Sequence, residues 1–289
     1  SSAASDVYKR QITLSAVMCM AALTGCGGKS DSAKKTAKVI EVDLTDEQYA
    51  FGVDKDQPDL LKEVNQFVKD MKSDGTFDEI CNRYFGDGTP VPVKSAAYDE
   101  SKDQLVVATN AAFEPFEYMD GENYVGIDME IAKALADKLG KELVIQNMDF
   151  DAVCLSVGQH KCDVAMAGLT IKPDREEYVA FSDPYYSASQ KLITLSTDTE
   201  FDACKTADDV NKILEAKGSD LKIGFQNGTT GQFYCEGDKS WGFEGYKVTT
   251  TGYKNGSLAV QDLINGNINY VVIDSAPAKC ITEAINKMQ

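Results

Sequence analysis

The chain has 289 residues, 43% of them hydrophobic, which is enough for two lobes that each bury a core. Its formal net charge of −17 excludes nucleic acid as a partner, because phosphate backbones are held by clustered Lys and Arg. Beyond solubility the acidity says little.

The first residue is Ser, so the native start is not fixed by it. Lys9 and Arg10 precede an apolar stretch at 12–23, too short to span a bilayer comfortably. It ends in Leu23-Thr24-Gly25-Cys26, which resembles the lipobox of bacterial lipoproteins, where cleavage leaves the cysteine as the lipid-bearing N-terminus. That resemblance implies a leader over 1–26, lipidation at Cys26, and an extracytoplasmic protein held to the cell membrane by lipid alone. Residues 27–36, GGKSDSAKKT, then read as a flexible polar tether.

Residues 39–42 and 48–53 read as strands. Pro58 opens a helix with Leu60, Leu61, Val64, Phe67, Val68 and Met71 on one face, and Gly75 ends it. A shorter helix holds Phe77, Ile80, Tyr84 and Phe85, and 88–103 (GTPVPVKSAAYDESKD) is a connector. The β-branched run 105–109 is a buried strand, followed by a loop at 110–116 with two phenylalanines and a proline. Next comes a helix with Asp128 as candidate N-cap, Ile131, Leu135 and Leu139 at helical spacing, and Gly140 as its stop. A strand at 143–145, a short helix at 151–157 and a strand at 164–167 complete an alternation that predicts a parallel sheet flanked by helices. Ligands collect at the carboxyl ends of such strands. Those ends carry Asn110 and Phe113, then Met148 and Phe150, then Gly168, Thr170 and Arg175. Further strands at 192–195, 221–225 and 270–273, with helices at 207–216, 258–264 and 275–288, predict a second unit presenting Gln226, Thr229, Thr230 and Asp274.

The runs ATNAAFEPFEY, DGENYVGIDMEIA, MDFDAV, AGLTIKPDREEYVAFSDPYY, QNGTTGQFY and VVIDSAPA, in this order, resemble the bacterial extracellular solute-binding proteins of amino-acid ABC transporters, the glutamine- and polar-amino-acid branch most closely. The resemblance implies a two-lobe α/β fold of the periplasmic-binding-protein (Venus flytrap) type. Each lobe would be a mostly parallel sheet, joined to the other by a two-strand hinge. The partners implied are an amino-acid ligand and an ABC permease, with no cofactor, and the protein is expected to be a monomer. Arg175 matches the arginine that grips the ligand carboxylate, a task its planar fork suits. Thr170 would donate its backbone N–H, and Thr230 would add donors at a helix start. Asp274 matches the ammonium-binding carboxylate, with the Gly168 carbonyl beside it. Phe113 and Phe150 match the rings that hold the ligand side chain, and Phe116 lies in the same motif. Asn110 stands where the family often has Asp, and Gln226 adds polarity without charge. The pocket is therefore expected to prefer a neutral polar side chain, glutamine first.

The block EQYAFGVDKDQPDLLKEVNQFVKDMKSDGTFDEICNRYFG resembles the C-terminal segment of the same family, yet here it comes first. A circular permutation is the economical account, with 88–103 as the joint and 39–42 in the same sheet as 270–273. One lobe would then be continuous (47–190) and the other built from 37–46 with 191–289, crossing at 45–49 and 187–193.

An enzyme on the same scaffold, such as a dehydratase, would need a general acid or base facing the ligand. The nearest candidate is Glu114, which beside Pro115 is expected to face solvent. A sensor domain would need a span and an output unit. Cys81, Cys154, Cys162, Cys204, Cys235 and Cys280 could pair after export, with Cys204–Cys235 the first guess. His160, the only histidine, has no neighbours at metal-ligand spacing, and no metal is expected.

Overall fold

A computed structural model describes residues 34–289; the leader, Cys26 and the tether as far as 33 lie outside the described residues. Two five-stranded sheets organise the rest. The first runs, in order, Val179–Phe181, Gly52–Asp54, Val164–Ala165, Gln104–Thr109, Glu142–Asn147. The second runs Ala37–Val39, Gln190–Leu195, Tyr270–Asp274, Lys222–Gln226, Thr249–Tyr253. Apolar runs without alternation suit strands covered on both faces. Accordingly Leu105 and Val107 join one core cluster while Val106 and Ala108 join another. Val271 and Ile273 likewise separate from Tyr270 and Val272.

Neither sheet is mostly parallel, contrary to expectation. Gln104–Thr109 pairs parallel with Glu142–Asn147 and Val164–Ala165, but Gly52–Asp54 runs antiparallel between Val164–Ala165 and Val179–Phe181. Gln190–Leu195 is antiparallel to both Ala37–Val39 and Tyr270–Asp274. The reason is the hinge. A strand entering from the hinge leads away from the cleft, whereas the parallel strands end at it. The hinge itself is a two-stranded ladder of Glu47–Tyr49 with Tyr186–Ala188. The strand expected at 48–53 is thus two pieces, one in the hinge and one in the first sheet.

Ala37–Val39, placed slightly before the expected 39–42, shares a sheet with Tyr270–Asp274 through the intervening Gln190–Leu195. Its hydrogen bonding continues from Ile40 N–H to the Leu192 carbonyl and from Leu44 N–H to the Gln190 carbonyl. Helix Ser275–Met288 covers it, and Asn286 bonds both the N–H and the carbonyl of Ala37.

Asp128 is not a helix cap. The helix Ile127–Leu139 starts from Gly126, at φ 137°, and Asp128 is wholly buried one residue inside it. Its carboxylate accepts the Gly168 N–H at 2.9 Å and the Tyr185 hydroxyl at 2.6 Å, fixing the loop that carries Thr170. The short strands Ala112–Phe113, Glu117–Asp120 and Asn123–Val125 form a meander that leads into this helix. At two to four residues each, they are too short to show a period in sequence. All six described cysteines are free, so the pairing of Cys204 with Cys235 is not made; Cys235 is fully buried, a small apolar core residue. His160 does find partners, distant in sequence: its Nδ1 lies 2.9 Å from buried Asp54 and its Nε2 3.6 Å from Asp56. Hydrogen bonding to Asp54, then its charge, raises the imidazole pKa, the behaviour of an ion pair.

A Cβ on Gly126 would stand 2.0 Å from the Phe116 carbonyl oxygen, with the backbone on the positive-φ side. Gly126→Ala is expected to lower unfolding free energy by roughly 3 kcal/mol, because loop 113–117 must move. Urea denaturation measures it, and a loss below about 1 kcal/mol would contradict this packing.

Candidate functional site

The carboxyl ends of both sets of parallel strands meet across one cleft. From the first sheet come Asn110, Phe150 and Thr170, and from the second Gln226 and Asp274. Asn110 donates to the Met148 carbonyl at 2.7 Å and accepts from Gln226 Nε2 at 3.0 Å, so a neutral amide pair bridges the lobes. Arg175 is buried in a single 3-10 turn. It donates to the Thr170 carbonyl at 2.7 Å and to the Gly228 carbonyl, from the opposite lobe, at 2.9 Å. Its guanidinium carbon lies 5.2 Å from the centre of the Phe150 ring. Both carbonyls hold donors that a carboxylate would take more strongly. Thr170 Oγ1 donates to Glu47 at 2.7 Å and lies 3.4 Å from Thr230 Oγ1 across the cleft.

Phe113 is buried with its ring against Gly168, where a Cβ would stand 3.0 Å from the Phe113 ring and 3.3 Å from the Tyr49 ring. Phe116 is placed differently from the sequence expectation. It is fully buried among Tyr49, Phe113 and Tyr186, with ring centres at 5.2, 6.1 and 5.0 Å, and so supports the site from behind.

Asp274 ends its strand beside the hinge, 4% exposed, and accepts the Tyr49 hydroxyl at 2.5 Å. Burial, and then the charge of Glu47, push its pKa up to about 7, against the pull of hydrogen bonds from Tyr49 and Gln190. Three partners are not foreseeable from the sequence pattern. Tyr49 and Glu47 lie far from Asp274 in sequence, and Glu47 is itself buried, accepting from Thr45, Thr170 and Gln190. Glu117 is the third. It is 0% exposed, and neither carboxyl oxygen has a hydrogen-bond partner. Burial, then the charges of Asp128 and Asp274, hold it far above the usual carboxylate range. It is paired in register with Phe113, so it stands at the ring expected to hold a ligand side chain. Gln226 Oε1 is a further buried acceptor without a donor. Buried acceptors in excess mark a place for a donor-rich group.

Glu114 does not face solvent. Proximity of helix Ser275–Met288 half-buries it in a separate pocket of ≈ 630 Å³ with Tyr118 and Cys280. Burial pushes its pKa up to about 7, with Lys287 pulling the other way. That pocket contains none of the residues gathered around Arg175 and Asp274. No helix among the described residues is long and apolar enough to cross a membrane.

The chain is similar to several known proteins. The chain is 40% identical over 96 residues to the arginine-binding extracellular protein ArtP of Bacillus subtilis (strain 168), covering 33% of this chain and 38% of that one. The holo structure of ArgBP from T. maritima is 33% identical, with a TM-score of 0.53, covering 66% of this chain and 78% of that one. An ancestral arginine-binding protein bound to glutamine is 32% identical at a TM-score of 0.50, covering 65% and 74%. The chain spans 38–64% of the length of the first curated relatives it matches. The two-lobe fold of these neighbours is the fold of this protein. The profile of one family matches residues 5–87 and 105–279, and the chain belongs to that family, the bacterial extracellular solute-binding proteins, family 3.

Proposed function

We propose that this protein captures an α-amino acid with a cationic side chain between its lobes and presents it to the permease of an ABC importer. The observation that carries the reading is Glu117, a buried carboxyl with two unbonded oxygens beside Asp274 and Phe113. An isolated buried carboxylate is costly, so the group stays neutral until a cation arrives. A guanidinium brings five donors and a charge to that point. In this account Arg175 exchanges its carbonyl partners for the ligand carboxylate, and Asp274 receives the ammonium. The arginine-binding names of several relatives support the choice. Glutamine, the expectation from Asn110 and Gln226, remains the second reading, favoured by the neutral bridge between those amides. Neither reading has a catalytic step: the raised carboxyl of Glu114 sits in another pocket, away from Arg175 and Asp274.

The lipobox-like run ending at Cys26 supports delivery from the outer face of the membrane on a lipid anchor; the binder is proposed to act as a monomer. Circular permutation is also proposed. It is supported by the gap at 88–104 between the two matched blocks and by the seating of Ala37–Val39 against Gln190–Leu195. The first lobe would then be 47–190, and the second 37–46 with 191–289. Moving residues 38–86 behind Gln289 through a short linker should give a folded binder with the same ligand ranking. An unfolded product would contradict it.

Calorimetry with arginine, lysine, histidine and glutamine tests the ligand. Arginine is expected to bind most tightly, and Glu117→Gln to weaken arginine at least ~30-fold while leaving glutamine within about threefold, the loss of one buried charge pair. Glutamine outcompeting arginine on the wild type, with arginine unchanged in Glu117→Gln, would sink the cationic reading.

The ionisation of Asp274 sets the pH dependence. Without ligand its carboxyl titrates near 7, and an ammonium partner must lower that value. With a neutral ligand such as glutamine, which leaves Glu117 protonated, binding therefore expels a proton below pH 7 and not above it. Affinity for glutamine should rise up to about tenfold per pH unit between 5 and 7, then level off. A Kd constant from pH 5 to 8 would contradict the role of Asp274.

A further inference from the structure

One buried cation lies outside the ring of ligand residues. Lys172 follows Thr170 by two positions in the first lobe and is 1% exposed. Its ammonium lies 2.8 Å from Asp174, on its own loop, and 2.7 Å from Asp238, in the second lobe. It also stands 3.5 Å from the centre of the Phe233 ring and 6.0 Å from that of Trp241, both in the second lobe. An ammonium this deeply buried is tolerated only where charge and rings compensate it. Here most of that compensation comes from across the cleft.

The receiving side is built to hold still. Asp238 and Phe243 exchange two backbone hydrogen bonds of 2.9 Å, closing a small hairpin that carries Trp241 at its tip. Phe243 packs edge-on against Tyr234 at 5.0 Å, and Trp241 against Phe243 at 5.4 Å. The Asp238 carboxylate accepts the Ser240 N–H at 2.8 Å and its hydroxyl at 2.5 Å, which fixes its direction toward Lys172. Burial alone would raise Asp238; the hydrogen bonds from Lys172 and Ser240 overcome it and bring the pKa to about 2. The Asp238 carboxylate is therefore charged throughout the physiological range.

We propose that Lys172, clamped by Asp238, Phe233 and Trp241, is a closure latch: a positioning residue that sets how much of the protein is closed, and so the affinity for every ligand, without contacting the ligand. The inference rests on the two-lobe capture proposed above. Other bridges across the cleft, Arg175 to Gly228 and Asn110 to Gln226, involve groups a ligand would engage and rearrange. Lys172 bonds neither of those pairs. When the lobes part, Lys172 and Asp174 stay on one side while Asp238, Phe233 and Trp241 leave with the other, so the contact exists only in the closed form. The apparent affinity of a binder scales with the fraction of molecules in the competent state, by the same factor for all ligands.

The test uses Lys172→Met, which keeps the apolar stem and removes the charge, with Lys172→Arg and Asp238→Asn as companions. Trp241 is the only tryptophan in the sequence, so its fluorescence reports on the latch directly. In ligand-free Lys172→Met the Trp241 emission should shift and the radius of gyration from small-angle scattering should rise. Affinity for arginine, lysine and glutamine should fall by the same factor, at least about tenfold, through faster dissociation, with ranking unchanged. Lys172→Arg should restore most of it, and Asp238→Asn combined with Lys172→Met should add little to either alone. The latch is overturned if a folded Lys172→Met keeps wild-type scattering and affinity, or if its loss falls on one ligand only. Should Lys172→Met not fold, Asp238→Asn is measured in its place, and unchanged scattering and affinity in that variant overturn the latch equally. Failure of wild-type protein to bind any amino acid would sink the capture reading instead, while the ligand-free scattering and fluorescence would still decide the latch.

Discussion

The arrangement depends on burying more negative charge at one place than the protein itself neutralises. Glu47, Glu117, Asp128 and Asp274 are each 4% exposed or less and are drawn together at the junction of hinge and cleft. Asp128 is satisfied by Gly168 and Tyr185, and Glu47 by three hydroxyl and amide donors. Asp274 has Tyr49, and Glu117 has nothing. Buried carboxylates without cations neutralise by taking up protons, and the raised values of Asp128, Asp274 and Glu117 express that. Elsewhere in the fold the same residue type is compensated locally, as Glu130 is by Arg83 and Asp54 by His160. Apart from half-buried Glu114 in its own pocket, the deficit among the described residues lies at the cleft, and buried cations near it are committed: Arg175 to two carbonyls, Lys172 to two aspartates.

Topology produces this crowding. Chain crossings at 45–49 and 186–190 bring the hinge ladder against the ends of strands from both sheets. Tyr49 thereby reaches Asp274 across 225 residues of sequence, and Glu47 reaches Thr170 across 123. The same crossings force one antiparallel strand into each sheet. Bonds across the cleft are of two kinds: those through Arg175, Asn110 and Gln226 involve candidate ligand residues, and that through Lys172 does not.

Much of this is legible in the sequence, for physical reasons that differ by residue. Gln104–Thr109 and Tyr270–Asp274 are unbroken apolar runs buried on both faces, and such strands announce themselves. Asn110 and Asp274 can be placed because they directly follow or end those strands, and Gln226 because it ends Lys222–Gln226. Asp128 misleads because a helix start with an acid in its first turn looks like a cap, while a glycine with φ 137° does the turning. Phe116 cannot be told from Phe113 by type; only the packing shows it enclosed by three rings. Glu117 and Lys172 are invisible for a common reason. Charged residues read as solvated surface by type, even between aromatics as Glu117 is, and only the packing of distant segments reverses that.

The most direct test of the central claim is a crystal structure of the protein with L-arginine bound. The account predicts the guanidinium within about 3 Å of the Glu117 carboxylate, the ammonium at Asp274 and the carboxylate on Arg175. A guanidinium pointing away from Glu117, with that carboxyl still unbonded, would contradict it.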